Sequence, residues 1–219
     1  MSLLVIFDCD GVLVDSEPLG NAVFTECLTE FGIKLSVEES TRRFRGMKLA
    51  TCLEILEGET SIRLPDTFES DLRARMSEAF GVHLQPVDGA LRLVESLRVP
   101  FCVASSGPRN KIEENLRTTG LYPHFDGKVY SSYDIASWKP DPGLFLHAAK
   151  DFDVVPEDCI VIEDSAVGVR AGKRANMQVL ALDTLGGGEA PVEADYVFRC
   201  LNEIRAHLVS QGLASGHSS

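Results

Sequence analysis

Positive charge is scarce in this chain. Its 219 residues carry 21 lysines and arginines against 33 aspartates and glutamates, a net charge of −12 at pH 7. Such a surface repels the backbone of nucleic acids and anionic lipid alike, so neither nucleic acid nor membrane is expected as a partner. It also repels a small anion. A site for an anionic ligand would therefore need local positive charge, from a metal or a few placed cations. Long apolar runs are missing too. No stretch reaches the ~20 residues that span a bilayer. The apolar start, Leu3 to Phe7, is cut by Asp8 and has no basic segment before it, unlike a signal peptide. A cytoplasmic location is expected.

Paired cysteines are absent as well. Cys9, Cys27, Cys52, Cys102, Cys159 and Cys200 are scattered without a C-x-x-C, and several fall in apolar stretches such as FCVAS and CIVIE. That pattern predicts buried, reduced thiols and argues against zinc. The five histidines, His83, His124, His147, His207 and His217, lack metal-ligand spacing. Gly186-Gly187-Gly188 lacks the following Lys and Ser/Thr of a phosphate loop, so it predicts a surface loop.

What is present is ordinary globular composition, 44% apolar and 25% charged. Short runs rich in valine and isoleucine predict buried strands at 3–8, 100–106, 159–164 and 177–183, with a weaker one at 195–198. Helical patterns lie between them, near 88–98, 108–119, 141–151, 165–174 and 202–211. Pro108 could take a first helical position, and Asp164 or Ser165 could cap the helix that follows. The alternation predicts an α/β fold, a doubly wound parallel sheet covered on both faces. Residues 15–84 break it. They carry four helical patterns, near 18–31, 37–44, 48–58 and 66–81, separated by Gly32, Gly46, Gly58 and Pro65. The predicted organisation is a core of 1–14 and 85–219 with a helical-bundle insert at 15–84. The small polar tail, 214–219, is expected to be unstructured.

Ligands of open parallel sheets bind beyond the carboxyl ends of the strands. The first strand ends in Asp8-Cys9-Asp10-Gly11 and the second in Ser105-Ser106-Gly107. The strand at 159–164 ends in Glu163-Asp164, and Lys139 sits in Trp138-Lys139-Pro140-Asp141-Pro142, just before a helix. Singly, each has an ordinary explanation as a turn, a cap or surface charge. Together at strand ends they form a set with a chemistry. Acidic oxygen ligands suit Mg²⁺. One carboxylate can attack phosphorus while its i+2 neighbour exchanges protons with the leaving oxygen and with water. A lysine and hydroxyls can stabilise phosphoryl oxygens.

Four motifs in order carry a resemblance: DCDGV at 8–12, a hydrophobic strand ending at Ser105, Lys139 in WKPDPGLF, and IEDS at 162–165 followed by AVGVRAGKRANM. The chain resembles the haloacid dehalogenase (HAD) superfamily of phosphotransferases, in its small-cap, β-phosphoglucomutase-like subgroup. The resemblance implies a Rossmann-like core with residues 15–84 as a cap domain, and a Mg²⁺-dependent phosphatase of small phosphorylated metabolites. It implies Asp8 as nucleophile, Asp10 as general acid/base, and Asp8, the Asp10 carbonyl and Asp164 as metal ligands, with Glu163 supporting or ligating. It implies Ser105, Ser106 and Lys139 as phosphate-binding residues, aided by amides near Gly11 and Gly107. In the cap, FRGMKL at 44–49 matches the substrate-loop position, so Arg45 and Lys48 are candidate substrate contacts, or else exposed helix-end charges. Arg42, Arg43 and Arg45 could draw in an anion or merely balance Glu38 and Glu39.

Within the family, Asp10 disfavours dehalogenases and phosphonatases, which lack the second aspartate. The mutases resemble D-T-A-E-Y-H after the glycine turn. Here Gly20 stands at the histidine position, which favours hydrolysis over a β-phosphoglucomutase-type transfer. The finer likeness, over 131–150 and 104–116, is to bacterial 6-phosphogluconate phosphatase-like proteins, so a sugar-acid or sugar phosphate is the expected ester. A non-enzymatic phosphoacceptor module, as in response regulators, would carry its acidic pair after the first strand rather than late in the chain. A monomer or weak homo-oligomer is expected.

Overall fold

The structure is a computed structural model that describes residues 3–44, 47, 49–184 and 193–216. The chain divides into two compact units, Asp15–Leu84 on one hand and Met1–Val14 with Gln85–Ser219 on the other. Among the described residues no helix is long and apolar enough to cross a membrane.

The discontinuous unit is built on six parallel strands: β1 (Leu4–Phe7), β2 (Phe101–Ser105), β3 (Val129–Ser131), β4 (Cys159–Glu163), β5 (Gln178–Leu182) and β6 (Tyr196–Phe198). Their spatial order is β3-β2-β1-β4-β5-β6. β1 is therefore where the winding reverses. The chain first builds β2 and β3 to one side, then returns past β1 to build β4, β5 and β6 on the other. A crevice opens beyond the carboxyl ends at such a reversal. Phe7 lies opposite both Val103 and Ile162, which brings the ends of β1, β2 and β4 side by side.

β1 and β4 are buried at every residue, which is why they read as unbroken apolar runs, up to Glu163 at the end of β4, and not as alternating ones. On one face Leu4, Ile6, Ala104 and Val161 join Leu144 and Phe145 of α9 (Gly143–Asp151) and Val169 of α10 (Ala166–Arg174) in a shared core. On the other, Phe7 meets Phe101 and Phe125 edge to face, with centroids 6.3 and 6.0 Å away. Among the described residues the other α-helices of this unit are α5 (Ala90–Ser96), α6 (Arg109–Thr118), α7 (Tyr122–Phe125), α8 (Ser132–Ile135) and α11 (Leu201–Ser210). A side chain on Gly172 of α10 would come 2.7 Å from Val179, so this glycine is what lets α10 lie close on the sheet.

Three sequence expectations shift here. Pro108 is not the first helical residue of α6 but its N-cap, with extended backbone, and its carbonyl accepts the amides of Lys111 and Ile112. β3, α7 and α8 were not foreseen, because three or four residues are too few for a periodic signal. The tail is tied down through Ser215: the Arg98 amide donates to the Leu213 carbonyl at 2.9 Å and the Ser215 amide to the Ser96 carbonyl at 2.7 Å. Ala214 is buried, which no polar-tail composition conveys.

The other unit holds α1 (Ser16–Glu30), α2 (Val37–Phe44), α3 (Leu49–Thr60) and α4 (Phe68–His83). Phe24, Leu28, Phe44, Leu56 and Leu72 form its core. α1 stops at Gly32, whose φ of 81° lets its amide reach the Thr29 carbonyl while the Ile33 amide reaches Leu28. Gly58 does not end α3. A helical glycine costs only ~1 kcal/mol relative to alanine, and the helix runs on to Thr60, whose hydroxyl donates to the Leu56 carbonyl at 2.7 Å.

Candidate active site

Beyond Phe7 the strand breaks. Gly11 turns at φ 81°, its amide donates to the Val14 carbonyl, and the Leu13 and Val14 amides both return to the Cys9 carbonyl. The break leaves Asp8 buried at the mouth of the sheet and Asp10 exposed just past it. Gly11 is required for a second reason. A side chain there would come within 2.7 Å of the Asp164 carboxyl carbon, so the turn and the end of β4 are nearly in contact.

Lys139 arrives from the loop between α8 and α9. Its ammonium donates to an Asp8 carboxylate oxygen, to the Ala104 carbonyl at 3.0 Å and to Glu163 Oε1 at 2.6 Å. It thereby ties together the ends of β1, β2 and β4, and its side chain is only 3% exposed. Glu163 is wholly buried. Its second oxygen, Oε2, accepts the Ser165 amide and hydroxyl, both at 2.9 Å. Ser165 also caps α10 by accepting the Gly168 amide at 3.1 Å. A side chain on Gly168 would fall inside the Glu163 carboxylate.

The electrostatics follow from burial. Desolvation pushes the Asp8 carboxyl up to about 7, against the pull of the Lys139 ammonium, and the Glu163 and Asp10 charges add to the rise. Burial alone would lower Lys139, but Asp8 and Glu163 outweigh it and hold the lysine above its ordinary range. The Cys9 thiol, buried between two aspartates, is pushed well above the usual range and stays a thiol.

Asp8, Glu163 and Asp164 can each bring an oxygen within 4.8 Å of the others. With all three ionised, their charge would exceed that of Lys139 by two. An excess of that size among hard carboxylate oxygens fits a divalent cation such as Mg²⁺. Glu163 has both oxygens engaged, by Lys139 and by Ser165.

The residues singled out in the sequence divide as follows. Asp8, Lys139, Glu163 and Asp164 come together. Ser105 is buried at the end of β2, where its oxygen accepts the Gly107 amide at 3.1 Å; Ser106 next to it is exposed. The Gly11 and Gly107 amides are thus already used within their own turns. Arg43 is engaged by Glu39 and, through two bonds of 2.6 and 2.7 Å, by Glu59. Arg45 and Lys48, like Gly186-Gly187-Gly188 and His217, lie outside the described residues. Two contributors were missed. Ser131, at the end of β3, donates to the Gly107 carbonyl at 2.6 Å and so anchors the turn after Ser105. Gly168 looked like any helical glycine, though the adjacent small residues of AVGVRAG hinted at a close approach.

A buried aspartate at a glycine turn, a serine, a lysine and an acidic pair at the switch point of a six-stranded parallel sheet fit a hydrolase of the haloacid dehalogenase type. The sequence profile of the haloacid dehalogenase-like hydrolase family matches residues 5–182, and the chain belongs to that family. It is 40% identical over 176 residues to the 6-phosphogluconate phosphatase of Escherichia coli, covering 80% of each chain. It is 33% identical over 202 residues to a phosphorylated carbohydrates phosphatase of Thermotoga maritima, covering 88% of this chain and 91% of that one. The solved structure of a HAD family hydrolase from Deinococcus radiodurans, with bound phosphate and sodium, matches with a TM-score of 0.87 at 30% identity over 99% of both chains.

Proposed function

We propose that this enzyme is a divalent-metal-dependent phosphatase of small phosphorylated metabolites, with a sugar or sugar-acid phosphate such as 6-phosphogluconate as its ester. The observation that carries this is the Asp8 carboxylate, buried at the switch point, hydrogen-bonded by Lys139 and grouped with Asp164 and Glu163. The named activities of the Escherichia coli and Thermotoga relatives support the class of ester.

In the first half-reaction a carboxylate oxygen of Asp8 attacks phosphorus and the bond from phosphorus to the ester oxygen breaks. The leaving alkoxide takes its proton from Asp10, which is exposed and so able to meet it. In the second half, Asp10 removes a proton from water, the water oxygen attacks phosphorus, and the phosphorus–Asp8 bond breaks to release phosphate. Lys139 keeps one oxygen of Asp8 fixed and offsets its charge, which orients the other oxygen for attack. Ser105, with its oxygen accepting from Gly107, has its hydroxyl proton to offer the phosphoryl group, and Ser106 adds a donor at the rim. Mg²⁺, held by Asp8, Asp164 and the Asp10 carbonyl, would neutralise charge on the carboxylates and the phosphoryl oxygens. Residues 15–84 would act as the cap that selects the ester, with Arg45 and Lys48 as contacts.

Hydrolysis is preferred over transfer back to a sugar because of Gly20. Position 20 lies on α1, where a Cβ would sit 3.6 Å from Phe80 and 3.9 Å from Met76, and glycine offers no group to guard a phospho-enzyme from water. The test is phosphate release from a panel of sugar phosphates, 6-phosphogluconate, phosphoglycolate and nucleotides, with Mg²⁺ and with full chelation. Release should need the metal and vanish in Asp8→Asn. Activity that survives chelation, or isomerisation of β-glucose 1-phosphate without phosphate release, would sink the proposal.

A further inference from the structure

Lys139 makes its three hydrogen bonds from a loop, not from a strand or a helix. Something must hold that loop still, because a shift of ~1 Å in a reacting constellation can cost up to about a hundredfold in rate. Its own backbone supplies part of the answer. The Asp141 amide donates to the Trp138 carbonyl at 2.9 Å, closing a turn around Lys139. The rest comes from one carboxylate oxygen. Asp141 Oδ1 accepts the Ser137 hydroxyl at 2.6 Å from one side of the turn and the Gly143 amide at 2.8 Å from the other. The two bonds fasten the entry of the loop to the first residue of α9. Gly143 has no room for a side chain, since a Cβ would lie 2.9 Å from that same oxygen and 3.0 Å from the Ser137 Cβ. From α10, Arg174 donates to the Pro140 carbonyl at 3.0 Å and pins the turn from behind.

We propose that Ser137 and Asp141 form a clasp that presets the Lys139 loop, with Asp141 a positioning residue that acts through Lys139 and never touches the ester. The function of the clasp rests on the phosphatase proposed above; its geometry does not. What it needs from Asp141 is an acceptor oxygen in a fixed place, not a charge. That separates the clasp from an electrostatic role, because an asparagine amide oxygen can accept the same two bonds while carrying no charge.

The experiment compares wild type, Asp141→Ala, Asp141→Asn and Ser137→Ala as full chains with Mg²⁺. Three measurements are made: steady-state kinetics (kcat and KM) with 4-nitrophenyl phosphate, the melting temperature, and the rate at which an amine-acetylating reagent labels Lys139, followed by mass spectrometry. Asp141→Ala should lower kcat about tenfold with KM within about threefold. Its Lys139 labelling should rise several-fold at nearly unchanged melting temperature, and Asp141→Asn should stay near wild type in all three. Ser137→Ala should fall between, and it carries the test if Asp141→Ala does not fold. Wild-type kcat and labelling in Asp141→Ala overturn the clasp, as does an asparagine variant as impaired as the alanine one. If wild type hydrolyses no ester, the phosphatase assignment fails, while the labelling comparison still decides the clasp.

Discussion

Replacing Gly168 by alanine tests the core of the site without touching a reacting group. The added methyl would enter the Glu163 carboxylate, and Glu163 has little freedom to yield. Its Oε1 is bound by Lys139 at 2.6 Å and its Oε2 by the Ser165 amide and hydroxyl at 2.9 Å, in a fully buried setting. Two relaxations are open. The first turn of α10 can lift, which resembles ordinary overpacking at ~1–3 kcal/mol. Alternatively the carboxylate can swing off Lys139, which breaks a buried ion pair at ~3–5 kcal/mol. A loss on the order of 3 kcal/mol corresponds to roughly 6–12 °C in melting temperature for a chain of this length. Calorimetry and urea unfolding give the number, and phosphatase kinetics show which relaxation occurs, since only the second frees Lys139 and lowers kcat. Gly58→Ala is the matched control. That glycine is also helical, but exposed, with no neighbour within 4 Å, so alanine should stabilise by ~0.5–1 kcal/mol. Wild-type stability and kcat in Gly168→Ala would refute the tight Glu163 seat.

Three further outcomes are expected. Gly11→Ala combines a left-handed φ of 81° with a clash against Asp164, so it should lose most activity and more stability than a simple turn glycine, as read by kcat and urea midpoint. Asp195 works against its burial, which raises it: bonds from Lys173 at 2.7 and 2.8 Å and from the Val179 amide at 2.7 Å hold its carboxyl below 3.8. A depressed folded value gives stability that is present above pH 3.8 and is lost as pH falls through the lowered value. The stability gap between wild type and Asp195→Asn should therefore be full at neutral pH and close in acid, as thermal melts across pH will show. Mg²⁺ should add ~2.7 kcal/mol of stability at a hundredfold excess over Kd and raise the melting temperature with a dose dependence that follows its binding; Asp164→Asn should flatten that response, and an unchanged response would exclude Asp164 as a ligand.

The centre of the sheet was legible because its strands are doubly buried. LVIF is apolar at every position and CIVIE at all but its terminal Glu163, so burial on two faces writes itself into composition. The boundaries of α1 to α4 were less legible because glycine has two meanings. At Gly32 it adopts φ 81° and ends a helix; at Gly58 it stays helical and is merely tolerated. Nothing local distinguishes them, since the choice is made by whether the following residues find a core. β3 was illegible for a different reason. Three residues carry no period, and its place is fixed by pairing with β2, a contact between segments more than twenty residues apart.

The site divides along the same line. Asp8, Lys139, Glu163 and Asp164 are legible because their chemistry is in their side chains and because strand ends gather them. What surrounds them is legible only in space. Gly168 matters for the carboxylate it admits, Ser131 for the carbonyl it holds, and Asp141 for a hydroxyl and an amide on either side of a turn. Each acts on a neighbour that a different segment supplies. A sequence names its reacting groups by type, but the groups that hold them are defined by a partner, and the partner appears only once the chain has folded.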